Sequence, residues 1–212
     1  QPLSVITTAS TGMKLRKSMN MLCDEEFTRN CDAITKNANY LSQTIDDFRN
    51  FIKEKKELQN VELQKKIKEV LSIVDSSLKN SSIDVIEEME SEPLNIDLVP
   101  GEFTQVMMNI LNNAKDILQD TTTEKKWVKL CLKKEDKYAI VTIENNGDNI
   151  DEDILPKIFD PYFTTKHKDQ GTGLGLYMSY RIIEALNGKL FAKNTKEGVK
   201  FFIHLPITAT GN

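Results

Sequence analysis

Long apolar runs, paired cysteines and an excess of basic residues are all missing from this 212-residue sequence. Its longest apolar stretches fall far short of the roughly 20 residues that a membrane-spanning helix needs, and no charged-then-apolar leader opens the chain. The three cysteines are odd in number and lack CxxC spacing, which argues against a disulfide framework or a zinc site. The net charge is −4 with lysine and arginine scattered among acids, which argues against nucleic-acid and anionic-membrane partners. We therefore expect a soluble, cytoplasmic protein.

The first quarter of the chain predicts a helical hairpin. Residues Gln1 to Leu22 contain a single glycine and no internal proline, and the run Asp24 to Glu26 then supplies the acidic first turn of a second helix. That second helix carries an apolar seam with heptad spacing, formed by Ile34, Ala38, Leu41, Ile45, Phe48 and Ile52. A monomeric hairpin could cover such a seam, but it would have little core. We therefore expect a dimeric four-helix bundle, that is, a homodimer through the N-terminal helices.

The composition changes after the charged run Lys53 to Gln59, which reads as the end of the helix and a linker. We place a domain boundary between residues 56 and 57, giving domains 1–56 and 57–212. Helices and mostly antiparallel strands alternate after the boundary without regular βαβ repetition, which indicates a two-layer α/β sandwich and an α+β fold class overall. The predicted helices are Leu63–Leu78, Glu102–Leu118, Glu152–Ile158 and a last one that follows a polar loop ending at Thr172 and runs to about Leu186. The predicted strands are Ile83–Met89, Leu94–Val99, Val128–Leu132, Tyr138–Glu144, Lys189–Ala192 and Val199–Leu205.

A glycine string runs directly into a predicted helix at Gly171 to Leu176. Alternating glycines let the backbone approach a polyphosphate, and the start of a helix offers unpaired N–H groups. Taken alone, such a string could equally be a tight turn. The charged run Thr164 to Gln170 before it could close over a nucleotide as a lid, with Lys166 reaching a terminal phosphate, or it could be an ordinary solvated loop.

A second polar feature interrupts the apolar helix Glu102–Leu118. Asn109 and Asn113 are four residues apart and so lie on one helical face, whereas Asn112 lies off it. Asparagine is a poor residue for the middle of a helix, so the pair indicates a site for a polar ligand or a pair of satisfied surface amides. An oxygen ligand for a magnesium ion that also holds phosphates suits one of the two equally well.

With the polar turn Asn145 to Ile150 and the segment Phe159 to Lys166, these elements resemble the ATPase domain shared by histidine kinases, Hsp90, gyrase and MutL. Their order and spacing are most similar to those of sensor histidine kinases. The resemblance covers about residues 57–208 and implies ATP and Mg²⁺ as cofactors, with Asn113 as the magnesium ligand. It implies that ATP is bound by Asn109, Asn113, Asp116, Asn145, Gly147, Asn149, Ile150, Ile158, Thr165, Lys166, Gly171, Thr172, Gly173, Leu174, Gly175 and Leu176.

The hairpin resembles the dimerisation and histidine-phosphotransfer helices of the same kinases. On that resemblance, the segment Gln1 to Leu3 is the end of an H box, and the acceptor histidine lies just upstream of Gln1. Gln1 falls where related kinases place a residue that orients water for dephosphorylating a response regulator. The sequence as given would not phosphorylate itself, and neither His167 nor His204 is placed to replace the acceptor. Any sensor or membrane segment would lie upstream.

The residue type four positions before the expected magnesium ligand distinguishes the kinases of this superfamily from its ATP hydrolases. Hsp90-like and gyrase-like relatives carry a glutamate base there, whereas this sequence has Asn109, and asparagine cannot accept a proton from water. The expected function is therefore an ATP-dependent protein-histidine kinase that passes phosphate to a response regulator.

Two positions depart from the resemblance. Asn145 stands where the family has an aspartate that accepts a hydrogen bond from the adenine amino group, and Asn149 replaces a glycine. Because a charge-assisted hydrogen bond is roughly twice as strong as a neutral one, adenine recognition should be weaker or altered. Asp116 also stands where many relatives have a basic residue. The alternative function is accordingly a nucleotide-impaired pseudokinase, acting as a dimeric scaffold or regulator phosphatase.

Overall fold

The computed structural model describes residues 2–53, 57–165 and 172–207, and for residues 43, 44 and 46–53 it describes the backbone only. The chain divides into two compact units. The first contains residues 1–54 and 161–174, and the second contains residues 55–160 and 175–212. The predicted boundary after residue 56 stays a prediction.

The helical part of the first unit is the expected hairpin of α1 (Pro2–Ser18) and α2 (Asp24–Lys53). Helix α1 ends four residues before the predicted Leu22, because Asn20 adopts a left-handed conformation with φ of 53°. The Met21 N–H then bonds to the Arg16 carbonyl and the Asn20 N–H to the Lys17 carbonyl, which together form a Schellman cap. An ion pair of 2.7 Å between Arg16 Nη1 and Glu26 Oε2 joins the two helices.

The predicted apolar seam of α2 is only partly covered within one chain. Ile34 and Leu41 are half-buried, whereas Ala38 is exposed and Ile45 is 63% exposed. The side chains of Phe48 and Ile52 lie outside the described ones. A second copy that covers the exposed positions stays a prediction.

The second unit is built on one five-stranded sheet and one two-stranded sheet. Its strands are β1 (Gln59–Glu62), β2 (Ile83–Met89), β3 (Asn95–Leu98), β4 (Lys126–Glu135), β5 (Tyr138–Asn145), β6 (Lys189–Asn194) and β7 (Val199–Pro206). The large sheet has the order β2-β4-β5-β7-β6, in which the β2–β4 pair is parallel and the other pairs are antiparallel. Strands β1 and β3 form the small antiparallel sheet.

Three helices of this unit pack against one face of the large sheet: α3 (Leu63–Asn80), α4 (Pro100–Asp120) and α5 (Gly175–Ala185). The two-residue period of the strands separates the faces, since Ala139, Val141 and Ile143 of β5 are buried toward the helices. Leu130 of β4 and Ile203 of β7, which flank β5, are buried as well. The α+β class and the two-layer sandwich are therefore confirmed.

Two local predictions differ from the structure. The predicted linker ended at Gln59 and residues 60–62 were assigned to no element, but residues 59–62 form β1. Its pairing with β3 includes a hydrogen bond of 2.8 Å from Asn60 Nδ2 to Asp97 Oδ1. The predicted helix Glu152–Ile158 is reduced to a 3₁₀ turn at Leu155–Lys157. Pro156 lacks an N–H donor, and the segment is too short to sustain α-helical pairing. None of the helices in the described ranges is both long and apolar enough to cross a membrane.

Candidate nucleotide site

Asn109 connects two helices of the sandwich. Its Nδ2 donates to the Gly175 carbonyl at 2.9 Å and to Ser179 Oγ at 3.1 Å. Ser179 is fully buried and its hydroxyl donates to the same carbonyl at 2.9 Å. Asn109 therefore fixes the first turn of α5 against α4, and both hydrogens of its amide are committed to protein oxygens.

The other polar residues of α4 follow the predicted helical faces. Asn113 and Asp116 are half-buried and each takes part in a polar contact, whereas Asn112 is exposed, as expected for a residue off the common face. Within the described ranges, no group of three or more histidine, cysteine, aspartate or glutamate side chains could hold a metal ion.

Asn145 is the last residue of β5 and is 1% exposed. It follows Ile143 in the alternation of the strand and so lies on the face of the sheet that the helices cover. Its side-chain nitrogen Nδ2 is buried and makes no hydrogen bond. The adjacent Glu144 points to the opposite face, where its carboxylate pairs with Lys200 Nζ at 2.7 Å, so Glu144 does not replace the missing aspartate.

Two glycines bring the backbone close to Asn145. A Cβ on Gly198 would overlap the carbonyl oxygen of Asn145. A Cβ on Gly147 would lie 2.5 Å from Ile117 Cγ2 and 3.0 Å from Asn145 Nδ2. The backbone at both glycines therefore packs so closely against its neighbours that a larger residue would force them apart.

The rest of the polar turn is held by an asparagine that the sequence analysis did not single out. Asn194 Oδ1 accepts from the Ile150 N–H at 3.0 Å, and Asn194 Nδ2 donates to the Ile150 carbonyl at 2.7 Å. Asn149 is exposed, and its Nδ2 reaches the Thr195 carbonyl at 3.4 Å. Asn194 ends a strand more than 40 residues further along the chain, so no local pattern could have linked it to Ile150.

The glycine string is divided between the two units, with residues up to Leu174 in the first and Gly175 onward in the second. In the first unit, Gly173 is left-handed with φ of +65°, and a Cβ there would lie 2.5 Å from the carbonyl carbon of Tyr162. The Tyr162 N–H donates to the Gly173 carbonyl at 2.9 Å, and Thr172 Oγ1 accepts from the Leu174 N–H at 3.2 Å. Gly173 therefore meets both requirements for glycine, a positive φ and a close backbone approach. Leu174 is buried and Thr165 is exposed.

In the second unit, α5 begins at Gly175, and Leu176 in its first turn is half-buried. Ile158 is buried, and the ring of Phe159 contacts Tyr180 and Phe201 with centroid distances of 5.9 and 6.4 Å. Gln1, Lys166, His167 and Gly171 lie outside the described residues.

The clearest shifts in pKa belong to the opposite face of the sheet. A hydrogen bond from Lys129 lowers the pKa of the Glu88 carboxyl and raises the pKa of Lys129 itself. Burial raises the pKa of the Cys131 thiol, and burial lowers the pKa of the His204 imidazole. These groups lie on the face that the three helices leave uncovered, away from the helix-facing Asn145.

Known proteins resemble the chain over this region. A family model described as histidine kinase-, DNA gyrase B-, and HSP90-like ATPase matches residues 99–209. The signal transduction histidine-protein kinase AtoS of Escherichia coli is 37% identical over 157 residues, which cover 73% of this chain and 25% of AtoS. The C4-dicarboxylate transport sensor protein DctB of Pseudomonas aeruginosa is 31% identical over 142 residues, or 66% of this chain and 23% of DctB. The chain thus spans about a quarter of the length of these relatives.

Solved structures agree with this resemblance. The nucleotide-free catalytic domain of histidine kinase ThkA has a TM-score of 0.64 and 32% identity, covering 71% of this chain and 96% of that domain. ThkA in complex with the response regulator protein TrrA has a TM-score of 0.74 and 25% identity, covering 98% of this chain and 58% of the matched chain. The expected resemblance to sensor histidine kinases is confirmed.

Proposed function

The chain belongs to the family of histidine kinase-, DNA gyrase B- and HSP90-like ATPases, and we propose that it is the phosphodonor part of a two-component sensor histidine kinase. In this proposal it binds ATP and transfers the γ-phosphate to a histidine just upstream of Gln1. The phosphate then passes to an aspartate of a response regulator.

Asn109 is the observation that favours phosphotransfer over hydrolysis. An ATP hydrolase needs a base that takes a proton from water. The Asn109 amide cannot accept that proton, and its two N–H donors are engaged with Gly175 and Ser179. A histidine acceptor does not need such a base in this position, because phosphoryl transfer depends mainly on positioning and charge neutralisation.

The residues of the second unit fit a purine nucleotide. Asn145 offers a buried amide nitrogen that has no protein partner, and Gly147 packs beside it. Asn113 would supply an amide oxygen to a magnesium ion, which neutralises phosphate charge when it is bound. The contributions of Asp116, Thr165, Lys166 and the glycine string stay predictions.

The partners follow from the same proposal. The exposed apolar residues of the hairpin suit a second copy of the chain, which would complete a four-helix bundle. Histidine kinase ThkA has been solved with the response regulator protein TrrA, and we propose a receiver domain as the partner of this chain too.

The second candidate is a pseudokinase or a dimeric scaffold and regulator phosphatase. The observation that favours it is the neutral side chain of Asn145 at the position of the family's aspartate, because the base contact loses its charge assistance.

Calorimetric titration with Mg²⁺ and a non-hydrolysable ATP analogue tests the proposal. We expect the protein to bind with a dissociation constant of about 1 mM or lower. Asn113→Ala should weaken binding at least about tenfold, because it removes a metal ligand. Asn112→Ala is the matched control and should bind like the unmodified protein, since Asn112 is exposed on another helical face.

The titration also separates the two candidates. If the protein binds no nucleotide until Asn145 is changed to Asp, the fold is intact but the natural pocket does not bind ATP. The scaffold function then replaces the kinase function as the proposal. If Asn112→Ala and Asn113→Ala weaken binding equally, the metal assignment is wrong.

A further inference from the structure

The Asn145 amide differs from that of Asn37, which is also buried, and from that of its half-buried neighbour Asn146. Asn37 Nδ2 donates to the Ala33 carbonyl, and Asn146 bonds through both its oxygen and its nitrogen, to the Trp127 N–H and the Lys125 carbonyl. Among the described side chains, Asn145 Nδ2 is the buried nitrogen or oxygen atom that has no partner. Buried polar groups are almost always satisfied, so this donor is the one for which a bound molecule could supply the missing partner.

The position of this amide is fixed by the surrounding backbone. Asn145 pairs with Val128 of β4 on one side and with Val199 of β7 on the other. Gly198 packs directly against its carbonyl oxygen. Gly147 does not have a positive φ, but a Cβ there would lie 2.5 Å from Ile117 Cγ2 and 3.0 Å from Asn145 Nδ2, so glycine lets the turn pack closely against both side chains.

An amide and a carboxylate read the 6-position of a purine differently. A carboxylate only accepts hydrogen bonds, so it selects the 6-amino group of adenine and repels the 6-oxo group of hypoxanthine or guanine. An amide carries one acceptor and one donor. Its oxygen can accept from a 6-amino group, and after a half-turn about the Cβ–Cγ bond its nitrogen can donate to a 6-oxo group.

We propose that Asn145 makes the pocket accept 6-oxopurine nucleoside triphosphates, of the inosine and guanosine type, alongside ATP. The inference rests on the proposed function, because it takes Asn145 as the residue that meets the base. The unpaired donor carries it, since a 6-oxo group would give Asn145 Nδ2 the partner that the protein does not supply. Asn145 is then a specificity-determining residue with relaxed selection at the 6-position.

Competitive binding of ATP and ITP in the presence of Mg²⁺ tests the inference without any turnover. The two ligands differ at the 6-position and in the N1 proton that accompanies the oxo group, whereas GTP adds a 2-amino group. We expect the affinities of the unmodified protein for ATP and ITP to agree within about tenfold, the equivalent of one modest hydrogen bond. Asn145→Asp should bind ATP more tightly and reject ITP by about a hundredfold or more, because the 6-oxo group would then face a charge that it cannot pair with.

Asn80→Asp is the matched control, since it makes the same chemical change at an exposed position at the end of α3 and should leave the ATP-to-ITP ratio unchanged. The ratio for the unmodified protein is a test even if Asn145→Asp fails to fold. If the unmodified protein binds ATP but binds ITP more than about a hundredfold more weakly, the inference is wrong and the proposed kinase function stands. If neither nucleotide binds to the unmodified protein or to Asn145→Asp, both the inference and the proposed function are overturned.

Discussion

The helical hairpin and the α/β sandwich bury their apolar residues to different extents. None of the side chains of α1 is buried, and Leu3, Leu15 and Ile45 of the hairpin are more than half exposed. By contrast, α4 buries an almost continuous apolar stripe against the sheet, formed by Phe103, Val106, Met107, Ile110, Leu111, Ala114 and Leu118. The sandwich therefore has a core of its own, whereas the hairpin leaves much of its apolar surface exposed.

Truncating one leucine in each region should give the largest difference. Leu118→Ala removes a fully buried side chain of α4 and should lower the free energy of unfolding by about 2–5 kcal/mol, through lost transfer free energy and the cavity left behind. Leu15→Ala removes a side chain that is 56% exposed and should change it by no more than about 0.5 kcal/mol. Urea unfolding followed by far-UV circular dichroism reports on the helices of both regions, and the fluorescence of Trp127, the one tryptophan of the sequence, reports on the sandwich.

The leucine pair should be compared at a protein concentration too low for association, so that a second copy does not cover Leu15. Equal losses for the two variants would mean that Leu15 contributes to the core as much as Leu118 does. The contrast between the two regions would then be lost.

A charge placed on the exposed seam should have the next largest effect. Ile45 is 63% exposed on α2, and Ile45→Asp should raise the dissociation constant of the dimer at least about tenfold, because the interface would have to desolvate a carboxylate. Ile73→Asp is the matched control, since Ile73 is 59% exposed on α3 of the sandwich and lies outside the seam. Sedimentation equilibrium measures both constants.

The comparison of Ile45→Asp with Ile73→Asp distinguishes a dimer interface on α2 from ordinary exposed apolar residues. If the unmodified protein is monomeric, or if both variants dissociate to the same extent, the exposed face of α2 is not a dimer interface. The hairpin would then have to be stabilised in another way.

Local sequence patterns predicted the elements whose information is local. The apolar periods of α3, α4 and the strands of the large sheet were sufficient to place them, and Ile83–Met89 matches β2 at both ends. Strand β1 was missed because its four residues carry no period of their own and are extended only through pairing with β3. The strand propensity of these four residues had little influence, and their pairing with β3, which is distant in sequence, decided the extended conformation.

The candidate site divides in the same way. The asparagines of α4 and the glycines could be identified from their spacing, because a helix face and a helix start are local features. Three other features could not be identified from the sequence: the unpaired Asn145 amide, the contact of Gly198 with the Asn145 carbonyl, and the hydrogen bonds between Asn194 and Ile150. Each depends on residues that meet only when the sheet is assembled. Such contacts require the three-dimensional register of β5, β6 and β7.

The smallest expected effect is a pH dependence confined to the sandwich. Burial lowers the pKa of His204 below its ordinary value of 6.5, with its ring against Tyr138 and Phe191. As the pH falls through 6.5, the imidazole is protonated in the unfolded chain before it is protonated in the folded protein. The contribution of His204 to the free energy of unfolding is therefore complete at higher pH and decreases as the pH falls toward the folded pKa. The free energy of unfolding should therefore fall more between about pH 7.5 and about pH 5.5 in the unmodified protein than in His204→Gln, which does not titrate at this position.

Urea unfolding of both proteins at the two pH values isolates His204, because every other titrating group is common to them. A parallel loss would mean that the imidazole is as hydrated in the folded state as in the unfolded state. The uncovered face of the sheet would then resemble the exposed surface of the hairpin more than the core of the sandwich.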